Sequence, residues 1–280
     1  MAPSYTFETL HADVKAAGDK PPLLLLHGWG SSAQMMQPVA QAFQNTHATY
    51  ALDLPDHGHS PPPPEPWGVP KQADLVDAFI RERIGSSVTV IGHSNGGRIA
   101  LYMASTPELA DTIDRLVLIS PSGMTPDRSL STRVRSTVAR TLKAPFEALP
   151  SPLREPAVDW LKHTLLWRAL GSSDYNALDG VMRETFVKTV NHHLDGPVHR
   201  IDVPTLIFWG DADEAISRRQ MERLHDAIPD AGLVVLEGAG HYGYLDDLST
   251  FVSTTRRFLD ATARDATAER DLENEKPTRR

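Results

Sequence analysis

Six short apolar runs recur along the chain, and each is followed within two residues by a glycine or a proline. Each run is four to six residues long and continuous, without alternation between apolar and polar positions. Strands that are buried on both faces of a parallel sheet have this pattern. The predicted strands are residues 23–26, 49–54, 88–91, 116–119, 205–209 and 233–236.

Between these runs lie segments whose apolar residues are spaced three and four positions apart, which is typical of amphipathic helices. Strands that alternate with helices form βαβ units, and short crossovers between them favour parallel pairing. The sequence therefore predicts an α/β fold with a mostly parallel, doubly wound sheet. The predicted helices are residues 34–43, 72–84, 98–105, 218–228 and 248–259.

The alternation stops between Ser122 and Ile201, where three helical patterns occur without a strand. We interpret residues 1–121 and 201–262 as the sheet domain, and residues 122–200 as an inserted helical cap. Loops at the carboxyl edge of such a sheet border the ligand crevice, so the cap is expected to cover a site. The cap helices are predicted at residues 131–142, 156–170 and 178–190. Some of its large apolar side chains are expected to line a pocket, and these are Trp160, Leu161, Leu165, Trp167, Met182 and Phe186.

Composition narrows the class of protein. The chain has 280 residues, a formal net charge of −8, 40% hydrophobic residues and no cysteine. An acidic balance argues against general nucleic-acid binding, and the lack of cysteine excludes disulfides, thiolate metal sites and a catalytic thiol. No signal peptide or membrane-span pattern is present, so we expect a soluble cytoplasmic protein, a monomer or homodimer. The charged residues 263–280 are predicted to be a solvated helix extension or a disordered tail.

The sharpest chemical signal is Gly92-His93-Ser94-Asn95-Gly96, which follows a predicted strand and precedes a predicted helix. Flanking glycines allow a tight strand-to-helix turn that raises the serine hydroxyl above the sheet edge. The start of the following helix favours developing negative charge at that point. Ser94 is therefore predicted to be a nucleophile, with Gly92 and Gly96 shaping its turn.

A serine hydroxyl needs an adjacent base, and the base needs an orienting acid. His241 lies just after the last predicted strand, so it is expected at the same edge of the sheet as Ser94. Asp211 and Asp213 both follow the preceding strand. We assign the role of the orienting acid to Asp213, which lies beyond the end of the strand. Asp211 is interpreted as part of the turn itself, where aspartate is common.

An oxyanion intermediate also needs backbone N–H donors. The residue after the nucleophile, Asn95, supplies one candidate amide. The loop after the first buried strand supplies the other, at Trp29, between Gly28 and Gly30, which permit the required turn. These residues complete the predicted site, which includes no metal.

Five segments together resemble the α/β-hydrolase fold superfamily: HGWG from His27, DLPDHGHS from Asp53, GHSNGG from Gly92, WGDAD from Trp209 and GAGH from Gly238. The resemblance covers residues 5–262, and the order Ser, Asp, His also matches. It implies a cap inserted after strand 6 of that fold, no cofactor, and a serine hydrolase that cleaves small-molecule carboxylic esters through an acyl-enzyme. The superfamily also contains carbon–carbon bond hydrolases that act on dienoate ring-cleavage products, cofactor-free haloperoxidases and a lyase of the menaquinone pathway. A carbon–carbon bond hydrolase is the main alternative.

The chain departs from the family pattern at two positions. Asp56 stands where the family commonly has glycine, and aspartate tolerates a positive φ better than most residues. Ser217 stands near a position where the family often has proline, and it is expected to cap the following helix.

Three other classes of protein compete with this interpretation. Gly28-Trp29-Gly30-Ser31-Ser32-Ala33 fits a dinucleotide-binding turn, and Asp53 has the spacing of the acid that binds ribose. His57 with His59, or His192 with His193, could be metal-ligand pairs. A non-catalytic binding protein on a hydrolase scaffold is the third alternative. None of the three explains the Ser94, Asp213 and His241 segments together.

Overall fold

A computed structural model describes residues 5–15, 18–126 and 180–274, and the side chains up to residue 262. Within these residues seven strands form one sheet. They are β1 (Ala12–Lys15), β2 (Pro22–Leu26), β3 (Ala48–Leu52), β4 (Val88–His93), β5 (Ile113–Ile119), β6 (Thr205–Gly210) and β7 (Ala231–Leu236).

The strand order in the sheet is β1-β3-β2-β4-β5-β6-β7. All neighbouring pairs are parallel except β1 and β3, so the predicted mostly parallel sheet is confirmed. The sequence did not predict β1. This four-residue strand lies at the sheet edge and is only partly buried, so it lacks the apolar run that marks the other six.

Eight α-helices are described in these parts of the chain. They are α1 (Gln37–Phe43), α2 (Val69–Phe79), α3 (Asn95–Ala104), α4 (Pro107–Ala110), α5 (Gly180–Val190), α6 (Arg218–Ala227), α7 (Gly243–Asp246) and α8 (Leu248–Asn274). The predicted helix at 34–43 begins as a 3-10 turn, Ala33–Met36, before α1. The one predicted at 72–84 ends in a π-helical turn, Ile80–Ile84, after α2.

The helices pack on both faces of the sheet. Apolar residues of α2, α3 and α6 join the core on one face, represented by Phe79, Ile99 and Met221. Residues of α1 and α8 join the core on the other face, represented by Phe43 and Phe251. This confirms the doubly wound arrangement, in which strand ends meet at a crevice between the layers.

The interval between β5 and β6 contains α5, which agrees with the helix predicted at 178–190. The helices predicted at 131–142 and 156–170 lie outside the described residues. The cap was expected after strand 6 of the family fold. Counted along the described strands of this chain, the interval follows the fifth, β5. The last helix, α8, continues to Asn274 and therefore into the charged tail. No helix among the described residues combines the length and the apolar character needed to cross a membrane.

Candidate active site

Ser94 lies in the turn between β4 and α3, as predicted. Its φ of 49° and ψ of −108° are unusual for a residue with a side chain, and such backbone strain costs on the order of 1–3 kcal/mol. The surrounding structure holds the turn in place, because the Ser94 amide donates to the Ile119 carbonyl at 3.0 Å. The Ser94 carbonyl accepts from the Ser122 amide, also at 3.0 Å.

The predicted turn glycines are required by close backbone packing. A Cβ atom at Gly96 would lie 2.3 Å from the Leu26 carbonyl oxygen, and one at Gly92 would lie 2.8 Å from the Cα of Gly97. A Cβ atom at Gly28 would lie 2.9 Å from Nδ1 of His93. Gly30 has a φ of +69°, which favours glycine. The loop after β2 and the turn after β4 therefore lie in close contact, with no room for a side chain at Gly28 or Gly96.

The two predicted oxyanion amides differ from their neighbours in hydrogen bonding. The Gly96 amide donates to the His27 carbonyl at 3.1 Å, and the Gly30 amide donates to Nε2 of His57 at 3.0 Å. The amides of Asn95 and Trp29 donate to no other group among the described residues. Both amides are therefore available to a ligand beside Ser94.

Asp213 and His241 are brought together by the loops after β6 and β7. Nδ1 of His241 donates to Oδ2 of Asp213 at 2.9 Å. The other carboxylate oxygen, Oδ1, accepts from the amides of Ala215 at 2.8 Å and Ile216 at 3.0 Å. The Asp213 side chain is fully buried. Burial acts to raise its pKa, but the hydrogen bonds from His241 and the Ile216 amide outweigh burial and lower the pKa below its ordinary value.

Asp211 has a different position, as the sequence predicted. Its Oδ1 accepts from the Gly238 amide at 2.6 Å, so it ties the loop after β6 to the loop after β7. The two loops approach closely at Gly210, where a Cβ atom would lie 2.2 Å from the Ala239 carbonyl oxygen. Only Asp213 of the two carboxylates contacts His241 in the described residues.

His93 fastens the loop that carries His241, and sequence reasoning missed this contact. Its Nε2–H donates to the His241 carbonyl at 3.0 Å, and its side chain is fully buried. Burial, together with the neighbouring His241, lowers the pKa of His93 to about 3. His93 is therefore a neutral donor that positions the backbone of the loop. Its place inside the Gly92–Gly96 turn was the available signal.

Ser94, His241, Trp29 and Asn95 line one cavity of about 550 Å³. Of the cap residues expected to line a pocket, Phe186 does so, and its ring lies 5.1 Å from that of Trp29. Met182 is buried but does not line this cavity. Trp160, Leu161, Leu165 and Trp167 lie outside the described residues.

Helix α5 is fastened over the edge of the sheet domain by its threonines. The Trp67 amide donates to Oγ1 of Thr185 at 3.1 Å, and Nε2 of Gln72 donates to Oγ1 of Thr189 at 3.1 Å. Thr189 also lines the cavity. The described end of the predicted cap therefore forms one wall of the candidate site.

Arg98 is a second cavity residue that sequence reasoning missed. It is the one charged residue of helix α3, and it lies four residues after Ser94. A charged residue in a helix that is buried almost all round was the available signal.

The structure argues against the dinucleotide-binding alternative. The Asp53 side chain is almost fully buried, and its oxygens accept from the amides of Ala33 at 2.6 Å and His59 at 2.9 Å. His11 also contacts it, with Nδ1 2.9 Å from the carboxylate. Because these contacts occupy the carboxylate, Asp53 is not available to bind a ribose.

Neither proposed pair of metal-ligating histidines lines the Ser94 cavity. His57 uses both ring nitrogens, donating to the Pro55 carbonyl and accepting from the Gly30 amide. His192 packs against the Tyr102 ring at 5.3 Å. One group of possible ligands is present in the described part of the chain, formed by His11, Asp53 and His59, and none of these lines the Ser94 cavity.

Both departures from the family pattern have the structures expected. Asp56 has a φ of 61°, so aspartate does adopt the conformation for which glycine is usual. Oγ of Ser217 accepts from the Gln220 amide at the start of α6, which confirms its place as a helix cap.

The sheet order and the strained turn at Ser94 define an α/β hydrolase. The sequence matches the alpha/beta hydrolase fold family over residues 21–248, so the protein belongs to that family. An uncharacterized protein of Mycobacterium tuberculosis is 29% identical over 93% of this chain and 82% of its own length.

Two further proteins resemble the chain over most of its length. A pimeloyl-acyl-carrier-protein methyl ester esterase of Neisseria meningitidis is 28% identical over 84% of this chain and 92% of its own. The solved structure of the enol-lactonase from Burkholderia xenovorans gives a TM-score of 0.67 at 22% identity, covering 90% of this chain and 96% of that one. The structural likeness reflects a shared fold, and the family and the esterase relative together indicate a hydrolase.

Proposed function

We propose that the protein is a serine hydrolase that cleaves carboxylic esters of small molecules, with Ser94 as nucleophile, His241 as base and Asp213 as the orienting acid. The observation that carries the proposal is the 2.9 Å hydrogen bond between Asp213 and His241, because His241 lines the same cavity as Ser94 on its strained turn. A hydrogen-bonded histidine and carboxylate beside a raised serine is the arrangement that acyl transfer needs.

In the proposed mechanism, Nε2 of His241 takes the proton of Ser94 as the serine oxygen attacks the ester carbon. The amides of Trp29 and Asn95 donate to the oxyanion of the tetrahedral intermediate. His241 then gives the proton to the leaving alcohol and activates water, which hydrolyses the acyl-enzyme and regenerates Ser94.

Asp213 keeps the proton of neutral His241 on Nδ1, so that Nε2 is free to act as the base. Its buried carboxylate also stabilises the imidazolium that forms after proton transfer. The two amide donors to Oδ1 hold this carboxylate in position independently of His241. No step requires a metal or an organic cofactor, and activity is expected to survive EDTA.

The first experiment replaces the proposed nucleophile. Ser94→Ala should lower kcat on p-nitrophenyl esters by a factor on the order of 10³ or more, with the fold intact. It should also abolish labelling by a fluorophosphonate. Ser105→Ala, a buried serine at the far end of α3, is the matched control and should keep both activities. A Ser94→Ala variant that retains most of its activity would contradict the mechanism.

The substrate class is tested with p-nitrophenyl esters of increasing acyl length, run beside thioesters and a dienoate. The proposal expects esters to give the highest kcat/KM. Faster cleavage of the dienoate would instead favour a carbon–carbon bond hydrolase with the same Ser94, His241 and Asp213.

A further inference from the structure

Arg98 is a buried cation in the wall of the Ser94 cavity. Its side chain lines the cavity, yet only 6% of the residue is exposed. Nη1 donates to the carbonyl of Thr189, near the end of α5. Nε is buried and has no hydrogen-bond partner.

No carboxylate neutralises this guanidinium within the described parts of the chain. The Thr189 carbonyl is its sole hydrogen-bond acceptor there, and no aspartate or glutamate forms an ion pair with it or lines the same cavity. Burial alone lowers the pKa of Arg98 to about 10, so the side chain is still charged at neutral pH. The negative end of the α5 dipole compensates part of the charge.

A buried charge without a counter-charge destabilises a fold by several kcal/mol. Arg98 has no carboxylate partner within the described residues, so its presence beside Ser94 calls for an explanation. Some other arginines among the described residues pair with carboxylates, as Arg81 does with Asp77 and Asp111. Arg98 is also the only lysine or arginine among the described residues that line this cavity. A ligand in the cavity can supply the negative charge that the described residues do not.

We propose that the substrate carries a second, unesterified carboxylate that pairs with Arg98, so that the preferred ester is a half-ester of a short dicarboxylic acid. Arg98 follows Ser94 by four positions, in the first turn of α3, and four helical residues correspond to an axial rise of about 6 Å. The free carboxylate would therefore lie only a few bonds from the ester carbon that Ser94 attacks. This inference rests on the proposed ester hydrolysis and adds the chemical class of the acyl group.

The competing explanation is purely structural. Arg98 could serve only to fasten α5 to the sheet domain through the Thr189 carbonyl. In that case its removal would lower stability and the turnover of every ester alike, without changing the preference between charged and neutral acyl groups.

The test compares p-nitrophenyl hydrogen glutarate with p-nitrophenyl pentanoate, which has the same acyl length and no charge. The wild-type protein should show the higher kcat/KM with the glutarate half-ester. Arg98→Met should reduce that preference by roughly 10- to 100-fold, as expected for the loss of a charge-assisted hydrogen bond. Its kcat/KM on the neutral ester should change only a few-fold, and Arg98→Lys should restore part of the preference.

Arg200→Met is the matched control. Arg200 also donates to a backbone carbonyl, that of Ser105 at 3.0 Å, but it does not line the cavity. This variant should keep the wild-type preference. Equal losses on both esters in Arg98→Met, or a wild-type protein that prefers the neutral ester, would overturn the proposal.

A binding measurement separates this inference from the proposed function. Glutarate should raise the Tm of Ser94→Ala, and it should not raise the Tm of Ser94→Ala combined with Arg98→Met. Glutarate binding without hydrolysis of any ester would refute the proposed function and leave the carboxylate site standing. Ester hydrolysis without the preference and without glutarate binding would refute the carboxylate site and leave the function standing.

Discussion

Asp213 makes the contact on which the proposed base, His241, depends. Both of its oxygens are committed, one to His241 and the other to two backbone amides. A carboxylate held in this way can only accept a hydrogen bond from the imidazole. It thereby fixes which nitrogen of His241 carries the proton, and that choice decides whether the other nitrogen can accept the proton of Ser94.

Asp213→Asn should therefore lower kcat by roughly 10³- to 10⁴-fold while preserving the fold. The asparagine oxygen can still accept from the Ala215 and Ile216 amides, but its NH₂ group would donate to Nδ1 of His241. The proton of the imidazole would then move to Nε2, which could no longer act as the base. Steady-state kinetics on a p-nitrophenyl ester, with Tm as a measure of folding, test this expectation.

Asp211→Asn is the matched control, because it changes the neighbouring carboxylate in the same loop. Asp211 contacts the Gly238 amide, and an asparagine oxygen can accept the same bond. The variant should lose only a few-fold in kcat. If Asp211→Asn were the more damaging change, the acid would have been assigned to the wrong residue.

At the scale of elements, strands were predictable where the sequence has a continuous apolar run, and this includes the edge strand β7, which has only one buried residue. β4 and β6 have every residue buried, and the sequence of each is mostly apolar. β1 has no buried residue and was missed, because an edge strand needs no such run. The order of the strands required the structure, since local patterns carry no information about which strands pair.

The candidate site also contains residues that were predictable from the sequence and contacts that were not. The positions of Ser94 and His241 at this edge of the sheet were predictable, because short motifs place Ser94 directly after β4 and His241 in the loop after β7. The choice between Asp211 and Asp213 rested on turn chemistry, and the loop contacts agree with it. The carbonyl contacts of His93 and Arg98 were not predictable, because they join residues far apart in sequence. His93 on β4 contacts the loop after β7, and Arg98 on α3 contacts α5.

The contact between β2 and α3 leads to a prediction about packing. Gly96→Ala would place Cβ 2.3 Å from the Leu26 carbonyl oxygen, a backbone atom that cannot move without displacing β2. We expect a loss of at least about 1–3 kcal/mol in unfolding free energy, and a loss of activity as Ser94 is displaced. Thermal denaturation and ester hydrolysis measure the two effects.

Gly232→Ala in β7 is the control for this substitution. Its Cβ would lie 3.5 Å from Cδ1 of Leu206, which is ordinary van der Waals contact. This variant should keep both its Tm and its activity. A Gly96→Ala protein with wild-type Tm and activity would show that the helix after Ser94 does not need its close approach to β2.

Across the whole molecule, buried neutral histidines join the loops at the carboxyl edge of the sheet. Nε2 of His27 accepts from the Leu54 amide at 3.0 Å, and its Nδ1–H donates to the Gly28 carbonyl at 2.7 Å. His57 has the same pattern, with Nε2 accepting from Gly30. A second proton on either ring would face an N–H group, so both must remain neutral in the folded protein.

These histidines make stability depend on pH, and the direction follows from their pKa values. Burial lowers the pKa of His27 to about 4, and burial with His241 lowers that of His93 to about 3. In the unfolded chain both have a pKa near 6.5. As the pH falls below 6.5, the unfolded chain gains protons that the folded protein does not accept. The stability these groups contribute is therefore complete above pH 6.5 and is lost as the pH falls toward 4.

Each such histidine should lower the unfolding free energy by about 1.4 kcal/mol per pH unit within that window. At about 2–4 °C per kcal/mol, His27 and His93 together should lower Tm by roughly 5–10 °C per unit between pH 6.5 and 5. His27→Gln, which keeps an acceptor for the Leu54 amide, should make this slope shallower. His199→Gln, at an exposed position, should leave it unchanged. A Tm that stays constant from pH 6.5 to 5, or a His27→Gln protein with the wild-type slope, would mean that the neutral imidazoles do not govern the acid stability of the fold.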